Sequence, residues 1–97
     1  MDLKTISRKL SSRKAEFAER FGITELGVFG SYARGEQRKG SDIDILVEFS
    51  KTPSLFGLVE AEEYIGNILG AKVDLVTKDS LKNPYISRSI LAEVVMI

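Results

Sequence analysis

Residues 30–44 read GSYARGEQRKGSDID, and the interpretation of the whole chain depends on this stretch. It joins two predicted strands, 23–29 and 42–49, in which apolar residues dominate or alternate with polar ones. The Gly-Ser pair directly follows the first strand, where a sharp turn into a short helix is expected. Ten residues separate Ser31 from Asp42, the first of two aspartates at the start of the second strand. The sequence therefore predicts that the Asp-x-Asp pair begins its strand beside the preceding turn.

The Asp-x-Asp spacing favours a metal site. Alternate residues of a strand point to the same side with α-carbons about 6.5 Å apart, so Asp42 and Asp44 can converge on cations. A third predicted strand, 73–77, carries Asp74, and neighbouring strands lie about 4.8 Å apart. Three crowded carboxylates would raise one another's pKa, whereas one or two Mg²⁺ ions would neutralise them. We therefore expect all three to form one metal-binding cluster. The alternatives are solvated turn residues at 42 and 44 and an exposed strand residue at 74.

The Gly-Ser turn favours a phosphate site. Gly30 allows close approach of a ligand to the backbone, and Ser31 offers a hydroxyl and an amide at the start of a helical turn. Arg34 follows one turn later and is the expected phosphate ligand. Gly35 and Gly40 have the spacing of a P-loop, but Ser-Asp follows where Lys-Ser or Lys-Thr is required, which excludes that motif. An ordinary turn remains the alternative interpretation of the Gly-Ser pair.

Hydrophobic periodicity predicts three longer helices and a terminal strand. The first begins after an Asp2 cap, runs to about Arg20 and is stopped by Gly22, with a weak point at Ser11 and Ser12 where a break could occur. The second begins at Pro53-Ser54 and ends at Gly70, and the third has Asn83 as its cap. Residues 94–97 could add an edge strand. One apolar face of each helix is expected to be buried: Leu3, Ile6, Leu10, Phe17 and Phe21 in the first helix, Leu55, Leu58, Val59, Ile65, Ile68 and Leu69 in the second, and Ile86, Ile90 and Leu91 in the third. Three glutamates of the second helix, Glu60, Glu62 and Glu63, should face solvent.

This order of elements predicts one α+β domain over residues 1–97, with helices on one face of a small sheet. The chain has no cysteine and no histidine, which excludes disulfides, cysteine-ligated zinc and serine-histidine triads. With 14 basic and 14 acidic residues, direct binding to duplex nucleic acid is not expected. No apolar run is long enough for a membrane span or a signal peptide, so a cytoplasmic location is expected.

The sequence with these motifs resembles the minimal nucleotidyltransferase branch of the polymerase beta-like superfamily. Its signature is Gly-Ser, ten residues, Asp-x-Asp and a later strand aspartate, and the resemblance covers nearly the whole chain. It implies a polymerase beta-like fold with a small mixed sheet. It also implies that Gly30 and Ser31 hold the nucleotide triphosphate, that Asp42 and Asp44 hold Mg²⁺, and that Asp74 binds metal and helps to activate an acceptor hydroxyl.

Members of this branch are often antitoxins paired with a helical HEPN toxin, and some transfer AMP from ATP to tyrosines of that toxin. The resemblance therefore implies an AMPylating antitoxin that forms a hetero-oligomer with a HEPN-domain protein and uses ATP with two Mg²⁺ ions. One alternative is a non-catalytic antitoxin or nucleotide-binding module that acts by contact alone. Another is a small-molecule nucleotidyltransferase that takes its acceptor pocket from a second subunit.

Overall fold

In the computed structural model, which describes residues 1–97, the first predicted helix is divided in two. Helix α1 (Leu3–Ser11) is capped by Asp2, whose side chain accepts a hydrogen bond from the Thr5 amide at 2.9 Å. Helix α2 (Lys14–Phe21) follows after a turn and ends at Gly22 with φ 72°. The predicted cap and stop are confirmed, and the break falls at the serine pair that weakened the pattern.

The remaining elements follow in the predicted order. They are β1 (Ile23–Phe29), α3 (Ser31–Arg34), β2 (Ile43–Phe49), α4 (Leu55–Leu69), β3 (Val73–Thr77), a 3₁₀ turn (Lys78–Ser80), α5 (Pro84–Glu93) and β4 (Val95–Met96). Strand β2 begins one residue later than expected, so Asp42 lies just before it. No helix of the structure is both long enough and apolar enough to cross a membrane.

The four strands form one mixed sheet in the order β3-β2-β1-β4. Strand β1 pairs antiparallel with both β2 and β4, while β2 pairs parallel with β3. The parallel pair is joined by α4, as a crossover connection requires. This arrangement confirms the predicted α+β class and the predicted edge strand near the C-terminal end.

The core lies between one face of the sheet and helices α1, α2 and α4. Its buried residues include Ile43, Ile45, Val47, Val73 and Leu75 from the sheet and Ile6, Leu10, Phe17, Ala61, Ile65 and Leu69 from the helices. Because strand residues alternate between faces, the residues between these sheet positions lie on the opposite face. The core therefore fixes which face carries Asp44 and Asp74.

Four residues expected in the core are exposed. Leu55 and Val59 of α4 are 75% and 45% exposed, and Ile86 and Leu91 of α5 are 54% and 47% exposed. Val59 lies about 240° around the helix from Ile65, which puts it off the buried stripe. Leu55 is the first residue of α4 and precedes the part that packs on the sheet. Helix α5 contributes no buried residue, so its apolar side chains are only partly covered.

Glu62 differs from its predicted solvent-facing role. The side chain is partly buried, and its Oε2 accepts a hydrogen bond from the Leu75 amide at 3.0 Å. Leu75 lies on β3, an edge strand whose outer amides have no strand partner. Glu62 thus satisfies an edge amide and ties α4 to the strand that carries Asp74.

Candidate active site

Asp44 and Asp74 lie side by side on neighbouring strands. They are register partners in the parallel pair of β2 and β3. On its other side, Asp44 is the register partner of Phe29, the last residue of β1. The Gly30 turn therefore begins directly beside Asp44. Asp44 is partly buried and Asp74 is exposed, so the two carboxylates share a site that is open on the Asp74 side.

Gly30 is required at this turn for two reasons. Its backbone has φ 75° and ψ −154°, a region that residues other than glycine rarely adopt. A Cβ atom on Gly30 would also overlap the Oδ2 atom of Asp44. Ser31 then begins α3, as the sequence predicted. The backbone of the turn and the Asp44 carboxylate are thus so close that position 30 has no room for a side chain.

Asp42 occupies the edge of this site. Its side chain is 42% exposed and its Oδ2 lies 3.8 Å from Nζ of Lys72, an ion pair too exposed to contribute much stability. No group of three carboxylates is gathered tightly enough to form a ready-made metal centre. The structure thus brings Asp44 and Asp74 together directly and leaves Asp42 turned toward a lysine.

The electrostatics of the site fit a cation. Partial burial raises the pKa of Asp44, and the nearby charges of Asp74 and Asp42 raise it further. A carboxylate whose charge is disfavoured by its neighbours gains most from a positive ion. The donors are all carboxylate oxygens, the ligand type that Mg²⁺ takes. The residues present therefore fit the expected metal.

Arg34, the expected phosphate ligand, is held between two carboxylates. Its Nη1 donates to Glu93 at 2.9 Å and its Nε donates to Glu36 at 3.1 Å. Glu93 also accepts a hydrogen bond from the Gly30 amide at 2.9 Å. Hydrogen bonds from Gly30 and Arg34 lower the pKa of Glu93, while Glu93 raises the pKa of Arg34. The Gly30 turn thus already holds an anionic group, the carboxylate of the last residue of α5.

Glu93 is the site residue that sequence reasoning missed. It lies 63 residues from Gly30 and 59 from Arg34, and it ends a helix whose apolar pattern gave it no special role. Its one sequence signal is its position two residues before Val95, the first residue of β4, which pairs with β1 and so brings Glu93 near the end of that strand. The pairing of β4 with β1 could not be deduced from a two-residue strand.

The carboxylates do not line a deep cavity. An open depression of about 560 Å³ lies elsewhere, between the second half of α4 and the start of β3. None of the candidate residues at 30, 31, 34, 42, 44 or 74 borders it. Asp74 therefore faces solvent directly rather than an enclosed pocket.

The mixed sheet, the Gly-Ser turn and the strand aspartates together define the class of nucleotide-transferring proteins that the sequence predicted. The chain matches the family model described as "Nucleotidyltransferase domain" over residues 10–97, and it belongs to that family. The family resemblance and the fold are thereby confirmed.

Comparison with known proteins agrees with this assignment. The chain is 50% identical over 97 residues to "Protein adenylyltransferase MntA" of Thermococcus cleftensis, covering 100% of this chain and 97% of the relative. A solved structure described as a minimal nucleotidyltransferase is 33% identical, with a TM-score of 0.77, and the match covers 98% of this chain and 95% of that one. A chain from the complex of a tri-AMPylated HEPN toxin of Shewanella oneidensis with an MNT antitoxin shares the fold, at 19% identity and a TM-score of 0.68 over 96% of this chain and 69% of the other.

Proposed function

We propose that this protein transfers AMP from ATP to a hydroxyl group of a partner HEPN-type toxin, a tyrosine hydroxyl in the simplest case, and so acts as its antitoxin. The observation that carries the proposal is the pairing of Asp44 and Asp74 beside the Gly30 turn. The name of the Thermococcus cleftensis relative, a protein adenylyltransferase, supports the reaction. The Shewanella oneidensis complex supports a HEPN protein as the partner class. Because ATP is the donor, we place the reaction in the cytoplasm.

Asp42, Asp44 and Asp74 would hold Mg²⁺, two ions in the expected arrangement. When bound, the metal supplies positive charge that stabilises the attacking and leaving oxygens of an in-line displacement. Asp42 would take this role by giving up its exposed contact with Lys72, which would cost little because the ion pair is weak. Gly30 and Ser31 supply backbone and hydroxyl donors for the triphosphate, and Arg34 supplies a guanidinium.

The proposed reaction is a displacement at the α-phosphorus of ATP. A bond forms between the acceptor hydroxyl oxygen and the α-phosphorus, and the bond from that phosphorus to the oxygen bridging toward the β-phosphorus breaks. Pyrophosphate leaves with that bridging oxygen. Asp74 accepts the hydroxyl proton, a role suited to an exposed carboxylate that an incoming protein can reach.

The acceptor belongs to another molecule. The candidate site is open on the Asp74 side, and its residues do not border the 560 Å³ depression beside α4. A protein acceptor brings its own surface, positions its hydroxyl by docking and excludes water at the same time. This argument favours a protein acceptor over a free small molecule.

Intact-mass measurement of the partner tests the proposal. Co-incubation with ATP and Mg²⁺ should add about 329 Da per event, the mass of one AMP residue, since attack at the α-phosphorus releases pyrophosphate. The variant with both Asp42→Asn and Asp44→Asn should add nothing, whereas Asp79→Asn, which changes an exposed aspartate after β3, should behave as wild type. Neutralisation of the partner by the double variant without ATP and without a change of mass would instead support an antitoxin that acts by contact alone.

A further inference from the structure

The carboxylate of Glu93 uses the donors that the proposed function assigns to the nucleotide's phosphates. It accepts hydrogen bonds from the Gly30 amide and from Nη1 of Arg34, each at 2.9 Å. A backbone amide carries one hydrogen, so Gly30 cannot donate at full strength to Glu93 and to a phosphate oxygen at once. A phosphate that approaches this turn therefore meets a competing anion.

Charge strengthens the competition. Arg34 is flanked by Glu36 as well as Glu93, so the guanidinium between two carboxylates presents no net positive charge to an arriving phosphate. The Asp44 carboxylate also lies next to Gly30. Two anionic groups on the same donors repel each other. Binding of a phosphate therefore requires Glu93 to leave.

Glu93 is placed so that it can leave by a side-chain rotation. Its side chain is 27% exposed, and it is the last residue of α5, which contributes no buried residue to the core. Rotation toward solvent would break two hydrogen bonds without unpacking apolar side chains. Both the Gly30 amide and Arg34 would then become available to phosphate.

We propose that Glu93 is an intramolecular competitor of the nucleotide: its carboxylate occupies the phosphate donors of Gly30 and Arg34, and it lowers the affinity of the chain for nucleoside triphosphate. The inference rests on the proposed function, since it concerns the same phosphate position. If Glu93 competes with the nucleotide, its removal should raise the affinity of the chain for nucleoside triphosphate. If Glu93 only supports the structure of the turn, its removal should lower that affinity.

Calorimetric titration with Mg²⁺ and the α,β-methylene analogue of ATP, which resists transfer at the α-phosphorus, tests the inference on the full chain. Glu93→Ala should lower the dissociation constant by about tenfold. In the wild type only the fraction of molecules whose Glu93 has left the donors can bind, and the apparent dissociation constant is the intrinsic one divided by that fraction. Glu93→Gln should lie between wild type and Glu93→Ala, because an amide oxygen still accepts from Gly30 but lacks the charge.

Glu36→Ala is the matched control. Glu36 pairs with Arg34 as Glu93 does, but it does not contact the Gly30 amide. Removal of this charge should tighten binding less than Glu93→Ala does. An equal effect of the two variants would mean that net charge alone acts, which would overturn the competition at Gly30. Thermal melts of all variants establish that the folded chain is being compared.

The outcomes separate the two proposals. If wild type and Glu93→Ala both bind the analogue, and the variant binds with equal or lower affinity, Glu93 supports the turn and the inference is wrong while the proposed function stands. If neither wild type nor any variant binds the analogue with Mg²⁺, the proposed function itself is wrong. Tighter binding by Glu93→Ala and, less strongly, by Glu93→Gln supports the competitor role.

Discussion

Asp44 and Asp74 are register partners on two parallel strands, and both lie on the sheet face opposite the main core. Their neighbours in sequence are fully buried or nearly so, which leaves the two aspartates no freedom to exchange faces. The hydrophobic pattern of β2 and β3 thus positions the carboxylates as firmly as it positions the core. The different exposure of the two side chains leads to different expected roles.

Asp74→Asn should separate nucleotide binding from transfer. Asp74 is exposed and lies on an edge strand, so its proposed task is to accept the acceptor's proton. The variant should still bind Mg²⁺ with the ATP analogue, whereas AMP transfer to the partner should fall by about 100-fold or more. Calorimetry and intact-mass time courses measure the two effects. Transfer at the wild-type rate would show that Asp74 is an ordinary surface residue.

Asp44→Asn should stabilise the metal-free protein near neutral pH. The raised pKa of Asp44 means that the charged carboxylate disfavours the folded state, so wild-type stability falls as the pH rises from the ordinary carboxyl pKa through the raised one. In thermal melts with a chelator, the melting temperature of the variant should exceed that of wild type by a few degrees at about pH 7. The two melting temperatures should be equal at about pH 3.

Asp42→Asn is the control for that experiment. Asp42 is more exposed and lies 3.8 Å from Lys72, so its replacement removes a weak attraction together with a weak repulsion. Its melting temperature should stay close to that of wild type at both pH values. An equal gain from both variants would contradict the view that Asp44 is the strained member of the pair.

Gly30→Ala should damage both folding and nucleotide binding. The substitution forces a side chain into a glycine-only backbone region and into the Asp44 carboxylate. A loss of about 3 kcal/mol or more in unfolding free energy is expected, from backbone strain of about 1–3 kcal/mol plus the overlap. Urea denaturation measures the loss.

Gly35→Ala provides the comparison at a similar φ of 70°. A Cβ there would meet nothing within 4 Å, so the cost should be the left-handed strain alone, about 1–2 kcal/mol. Equal losses in the two variants would argue against the close approach of Gly30 and Asp44.

Asp2 should contribute stability that is lost in acid. The hydrogen bond from the Thr5 amide lowers the pKa of Asp2, so the charged cap stabilises the fold above the ordinary carboxyl value and stops doing so as the pH falls through the lowered one. Asp2→Ala should reduce the melting temperature at neutral pH. Asp2→Asn should keep most of the cap but lose that part of the acid dependence. Identical pH profiles for Asp2→Asn and wild type would contradict this role.

The sequence predicted the parts of the fold that depend on local rules. Caps and stops at Asp2, Gly22 and Gly70 follow from backbone chemistry within a few residues, and the alternation in β2 and β3 fixed the faces of Asp44 and Asp74. The stretch GSYARGEQRKGSDID predicted the turn and the strand that flank the site.

Features that depend on distant partners could not be predicted in this way. Periodicity marks which side of a helix is apolar, but it does not show whether another element covers that side, so the exposure of Ile86 and Leu91 was missed. The hydrogen bonds of Glu62 to Leu75 and of Glu93 to Gly30 join elements whose contact depends on the assembled sheet. The ion pair of Arg34 with Glu93 could not be predicted for the same reason, and so neither could the position of Arg34 between two carboxylates.

The position of β1 has a consequence for the order of folding. β1 lies inside the sheet between β2 and β4, and one partner follows it closely in sequence whereas the other lies about 70 residues downstream. Loop-closure entropy makes the nearer pairing faster, so the hairpin of β1 and β2 should form first and β4 should join late. Gly30 would then be next to Asp44 early, while the contact with Glu93 must wait for the final strand. Pulse-labelled hydrogen exchange during refolding should therefore protect β1 amides bonded to β2 before the Gly30 amide.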